Sequence, residues 1–125
     1  MSAQGADNAI KRAIAEALAT EYRLYRAARR SGDVAAGWHH LERAHILAQT
    51  SLRAHIASHG AMLAFAIRQG DGREAAGQLV RLMLAPLGNL TGRLPFGNTG
   101  RSIVSAFVPM ALPPDLAAIL GRNTP

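Results

Sequence analysis

Two glycine–aspartate pairs, Gly32-Asp33 and Gly70-Asp71, set the architecture open to this chain, because each closes one helix-periodic stretch and opens the next. Glycine adopts the left-handed conformation that ends a helix, and an aspartate side chain accepts the free N–H groups at the start of the following one. Upstream of the first pair, Ile10, Ile14, Ala17, Leu18, Tyr25 and Ala28 recur at three and four. Lys11, Arg12, Arg23, Arg26 and Arg29 take the other side, which predicts an amphipathic helix from Asn8 to Arg30. Val34, Trp38, Leu41, His45 and Ala48 form the inward stripe of a second helix that runs to about Gln49. The punctuation there is Thr50-Ser51, either of which can cap a third helix with Leu52, Ile56, His59, Leu63 and Ala66 inward. That helix ends at Gln69-Gly70-Asp71-Gly72, and a fourth is expected from about Arg73 to Ala85, with Ala76, Leu79, Val80, Leu82 and Met83 as its apolar residues.

The pairs also mark a faint internal repeat. Arg30-Ser31-Gly32-Asp33 recurs as Arg68-Gln69-Gly70-Asp71, and Ala35-Ala36-Gly37 recurs as Ala75-Ala76-Gly77. Small residues at such places let helices approach closely, as in repeat scaffolds of tetratricopeptide type. After Pro86 the texture changes, for Gly88, Gly92, Pro95, Gly97 and Gly100 argue against a regular helix between Leu87 and Gly100. Ser102 to Val108 reads as a short helix or strand. Pro113-Pro114-Asp115 opens a final short helix through Leu120, closed by Gly121, and the tail Arg122 to Pro125 is expected to fray. The expected fold is therefore all-α, a bundle of two antiparallel helical hairpins, tetratricopeptide-like, with a long Gly/Pro-rich C-terminal loop. One domain spans 1–125, with 8–85 as its helical core and 86–125 as loop and C-terminal segment.

Composition narrows the function classes. Hydrophobic residues are 49% and charged residues 18% of the 125, enough for a packed core in one domain. No stretch approaches the roughly 20 apolar residues of a membrane span, and residues 1–7 lack the features of a signal peptide, so a cytoplasmic protein is expected. Cysteine is absent, which excludes disulfides, thiolate metal sites and a cysteine nucleophile. The net charge of +6 invites a nucleic-acid partner. Its spread from Lys11 to Arg122 argues against one, because only Arg23, Arg26, Arg29 and Arg30 approach a patch and they share an exposed helix face.

All five histidines, His39, His40, His45, His55 and His59, fall within one short stretch. If the chain turns at Thr50-Ser51, residues equally distant from the turn face one another, and Glu42, His45, His55 and His59 converge across an antiparallel helix pair. Were Val34 to His59 one helix instead, His45 and His59 would stand roughly 21 Å apart and could hold no common ion. Imidazole and carboxylate donors on facing helices suit zinc, copper, nickel or iron. Glu21, on the inner face of the first helix, and His40 are candidate supports. Glu42-x-x-His45 is half of a di-iron carboxylate pattern, but Glu74 is followed three residues later by Gly77, so the other half is missing. Met62, one turn beyond His59, would favour copper if directed inward. A packed polar network, a haem site and an acid–base role remain as other uses of the same residues.

The segment Gly92 to Arg101 offers glycines, two arginines and amide or hydroxyl side chains from which a backbone nest for an anion can be built. It matches neither the phosphate-binding loop nor the dinucleotide fingerprint, and a structural role, with Asn98 capping and Arg93 or Arg101 tying the loop to helix ends, competes with it. Ser51, Ser58, Ser102 and Ser105 lack a nucleophile-elbow context. An enzyme using histidine as a base with this loop as anion cradle would need the two to meet in one cleft. An interaction module, with structural histidines and a groove for another protein or a second copy as homodimer, is a further alternative.

Trp38-His39-His40-Leu41-Glu42-Arg43-Ala44-His45-Ile46-Leu47, then His55-x-x-x-His59, Gly92-Arg93-x-Pro95-x-Gly97-Asn98-Thr99-Gly100-Arg101 and Pro109-Met110, resembles the uncharacterised bacterial family known as domain of unknown function 3703. The resemblance spans nearly the whole chain. It implies no established activity; it does imply proximity to heavy-metal resistance and efflux functions, which favours a metal-binding accessory protein with Glu42, His45, His55 and His59 as ligands.

Overall fold

The computed structural model describes residues 2–93, 95, 97–105 and 108–122. Five helices follow in order: α1 (Ala3–Ser31), α2 (Val34–Ala48), α3 (Leu52–Arg68), α4 (Gly72–Thr91) and α5 (Pro114–Leu120), with no strand among the described residues. The boundaries obey the punctuation. Gly32 is left-handed at φ 74° and closes α1, and the Asp33 and Asp71 side chains accept from Ala36 N and Glu74 N at the starts of α2 and α4. Ser51 caps α3 by accepting from Ala54 N, so the chain turns where the histidine arithmetic requires. α1 begins earlier than the expected Asn8, because Ser2 accepts from Gly5 N and adds a turn of capped helix.

Three expectations need correction. α4 does not stop at Ala85: it runs through Pro86 to Thr91 and ends on left-handed Gly92. An internal proline loses one backbone bond and crowds the preceding turn, at a cost of about 3 kcal/mol. Against that, the added residues carry Asn89, whose side chain bonds α3 and the end of α2. The second correction concerns α3. Its buried stripe is His55, Ser58, His59, Met62, Phe65 and Ala66, while Leu63 is half-buried, because apolar residues lie on several faces and the stripe chosen is the one that carries Phe65. Residues 102–105 form turns and bends rather than a helix or strand, and Ala106, Phe107 and the tail Asn123–Pro125 lie outside the described residues.

α1 packs along α2, α3 along α4, and α2 touches both α3 and α5. One core cluster joins Tyr25, Trp38, Leu41, Met62, Phe65 and Ala66. The Phe65 ring stands edge-on to Tyr25 and Trp38 at 5.3 and 5.0 Å. Gly37 makes room for it, since a Cβ there would sit 2.7 Å from the Phe65 ring. A second cluster joins Ile46 and Leu47 to Leu112, Leu116, Ala117 and Leu120, seating α5 on α2. Glu21, Arg43 and Asp115 link α1, α2 and α5 by ion pairs. In the repeat, the counterpart of Gly37 is Gly77, where a Cβ would collide with Ser102, so both glycines serve close approach, one to a ring and the other to the C-terminal segment.

Candidate metal centre

α2 is buried on nearly every side in its last two turns, which carries His45 into the interior, and α3 returns His55 and His59 to the same place. All three are buried. Their Nε2 atoms converge, with 3.2 Å between His45 and His59 and 3.2 Å between His59 and His55. The donor atoms of the three lie within 4.8 Å of one another, an arrangement that can hold a metal ion.

The other ring nitrogen decides what these contacts are. His45 Nδ1 donates to the Asn98 carbonyl at 2.8 Å, His55 Nδ1 to Asn89 Oδ1 at 2.8 Å, and His59 Nδ1 to Gln78 Oε1 at 2.7 Å. Both amides are oriented by further bonds. Gln78 Nε2 donates to Glu74 Oε2 and the Gly100 carbonyl, and Asn89 Nδ2 to the Gln49 carbonyl, so an oxygen faces the imidazole in each case. A neutral imidazole carries one N–H, and here it is on Nδ1. The three Nε2 atoms that come together are therefore the unprotonated ones.

Charge does not resolve the crowding. Burial lowers the His59 pKa to about 4, and burial, with repulsion from His59 and His55, takes His45 well below its ordinary value. Burial also lowers the His55 pKa, against the bond that His55 Nδ1 donates to Asn89 Oδ1. The rings stay neutral at pH 7, which is the form that binds metals.

The spacing suits an ion. Donors at about 2.0–2.1 Å around tetrahedral zinc stand roughly 3.3 Å apart, close to the two 3.2 Å separations found. Each ring also donates its second nitrogen to an oxygen, which is how metal-ligating histidines are held in orientation.

A second layer ties this centre to the loop. Glu74 accepts from Gln78, from Ser102 N at 2.7 Å and from Arg101 Nε. Burial disfavours its carboxylate, but those bonds outweigh it and hold its pKa below the ordinary value. Arg101 reaches Glu42 Oε1 at 3.4 Å and lies over the Trp38 ring at 3.7 Å. Buried Asn98 donates to the carbonyls of Ser105 and Val108 while its Oδ1 accepts from Gly100 N. Gly100, at φ 82°, lies against the His45 ring.

Of the residues singled out from the sequence, the fold thus gathers His45, His55 and His59. Glu42 sits beside them in sequence but faces Arg101. Glu21 accepts from His40 Nδ1 at 2.7 Å and from Arg43, away from the triad. Met62 belongs to the aromatic core cluster. Sequence reasoning missed Gln78 and Asn89 entirely, and it assigned Asn98 only a capping role. The condition set for an active site, that histidine and loop share a cleft, is met: the three histidines, Arg81, Arg93, Asn98 and Gly100 all line one cavity of about 390 Å³.

A family model described as "Protein of unknown function (DUF3703)" matches residues 12–120. The chain belongs to this family. The match spans α2, α3, α4 and the loop through Arg101, so all three histidines and their oxygen partners lie within the DUF3703 region. No curated protein and no solved structure matches the chain. Among the described residues, no helix is long and apolar enough to cross a membrane.

Proposed function

We propose that this protein binds a divalent transition metal through His45, His55 and His59 and serves in metal handling. The observation that carries the reading is the fixed tautomer of all three rings, whose unprotonated Nε2 atoms come together, two of their separations at 3.2 Å, while every Nδ1–H is engaged by an oxygen. A structural polar network would instead be expected to pair donors with acceptors at the centre. Zinc fits the separations, and copper, nickel and iron share the donor chemistry. Glu42 supports the site through Arg101 and Glu74, and the Glu21–His40 pair steadies α2 against α1. The family's description assigns no activity, so the metal-homeostasis role rests on this donor set.

Elemental analysis of untagged protein purified without chelator tests the reading. Near-stoichiometric metal is expected, lost in His45→Ala and His59→Ala and kept in His39→Ala, whose side chain is exposed. Equal metal content in all the variants would refute a defined site.

A second function, contact with another protein or a second copy, has one observation in its favour. Leu79, Met83, Leu87 and Leu90 form an exposed apolar stripe along α4. The tetratricopeptide-like reading of the two helix pairs gains less, because residues 98–102 bridge α2 and α4 where a peptide groove would need to be open.

A further inference from the structure

The triad stands in the wall of the cavity of about 390 Å³, a size at the lower end of small-molecule pockets. The neighbouring wall is apolar, built from Leu84, Ala85, Leu87 and Pro95, and it also contains Arg81. Arg81 donates to the carbonyls of Gly77 and Val104, and its Nε is buried with no hydrogen-bond partner among the described residues. Glu74 is close enough to attract Arg81 electrostatically, but its carboxylate is bonded to Arg101 and Ser102 N and lies outside the cavity lining.

These features add up to a charge imbalance. Three neutral imidazoles leave a divalent ion its full charge, and the guanidiniums of Arg81 and Arg93 in the same lining add to it. In a site walled by apolar side chains such charge calls for a counter-charge, because low polarity strengthens the attraction and withholds solvation. The chain supplies no carboxylate to this cavity. Three protein donors also leave a tetrahedral ion one position to fill from outside the chain, the pattern of zinc sites that take an exogenous ligand.

We infer that the cavity binds a small organic carboxylate, its anionic head on the fourth position of the metal and beside Arg81, its apolar body against Leu84, Ala85 and Leu87. The inference rests on the metal reading above and adds to it the class of ligand the site selects. Inorganic oxyanions would satisfy the charge but leave the apolar wall unused, and neutral aromatics would do the reverse.

Cobalt(II), whose visible spectrum reports its coordination, gives the test. The protein is loaded with one equivalent of cobalt(II), and then titrated separately with benzoate, benzamide and inorganic phosphate. Benzoate is expected to change the spectrum saturably, with benzamide silent and phosphate weaker by about tenfold or more. Arg81→Gln should weaken benzoate by about tenfold with cobalt uptake retained. Because Arg81 also holds Gly77 and Val104, Leu87→Glu supplies a second variant, at a position 61% exposed on the cavity wall, expected to weaken benzoate while leaving the ligands untouched. Failure to take up cobalt would overturn the metal reading and this inference with it. Cobalt uptake with no response to benzoate, an equal response to benzamide or phosphate, or a benzoate affinity unchanged from the unsubstituted protein in both variants would overturn the carboxylate site alone.

Discussion

Replacing Gly100 by alanine separates a metal centre from a merely packed histidine cluster. Gly100 is left-handed at φ 82°, and a Cβ there would lie 2.8 Å from Cγ and Cδ2 of His45 and 3.0 Å from its Nδ1. Carbon atoms in contact prefer about 3.5–4.0 Å, so the ring or the loop must give by roughly 0.7 Å. Metal sites hold their ligand distances to about 0.2 Å, so such a displacement takes one of three ligands out of range. It also disturbs the bond from His45 Nδ1 to the Asn98 carbonyl, two residues from the substitution. Disturbing the groups that orient metal ligands costs roughly 10–100-fold in affinity, and Gly100→Ala should fall at the upper end of that range or beyond. The backbone change alone costs about 1–2 kcal/mol of stability, and Gly32→Ala controls for it: Gly32 has φ 74° and nothing within 4 Å of its would-be Cβ. Zinc affinity is measured by competition against a chromophoric chelator and stability by denaturant titration of the metal-free protein. Both variants should lose stability and only Gly100→Ala should lose zinc. Unchanged zinc affinity in Gly100→Ala, or an equal loss in both, would refute the reasoning.

Gln78→Leu removes the acceptor of His59 Nδ1 and the donor to Glu74 and Gly100, and should weaken zinc by about 10–100-fold, as read by the same competition assay. The metal-free protein should be acid-sensitive. His59 titrates near 4 in the fold against 6.5 in the unfolded chain, so its contribution is complete above 6.5 and is lost as pH falls toward 4. The loss is about 1.4 kcal/mol per pH unit for that histidine, with His45 and His55 adding in the same direction. Denaturant midpoints between pH 7 and 4.5 check it, and a flat profile would contradict neutral buried rings. Phe65→Ala, removing the ring shared by Tyr25 and Trp38, should cost about 3–5 kcal/mol, read from thermal or denaturant unfolding.

The parts of this fold that were legible in the sequence are those set by neighbours along the chain. Gly32-Asp33, Gly70-Asp71 and Ser51 mark helix ends because caps are local hydrogen bonds between residues a few positions apart. The turn at Thr50-Ser51 then brings His45 opposite His55 by arithmetic alone and puts Leu41 or Glu42 opposite His59, whereas the assembled helices bring His59 Nε2 within 3.2 Å of His45. Pro86 misled for the same reason: its cost is local, whereas the bonds of Asn89 that accompany the longer α4 cross to His55 and Gln49. Gln78, Asn89 and Asn98 carry no periodic signal, and their roles exist only once α3, α4 and the loop are assembled. Glu42 was grouped with the histidines by its place three residues before His45, but Arg101, 59 residues away, determines where its carboxylate goes.

X-ray absorption at the zinc edge of the zinc-loaded protein tests the central claim most directly. The account predicts three imidazole nitrogens at about 2.0–2.1 Å with the outer-shell scattering of histidine rings, plus one further light donor. That donor should change when a carboxylate is added. A shell of oxygen donors without imidazole scattering, or one or two histidines in place of three, would contradict it.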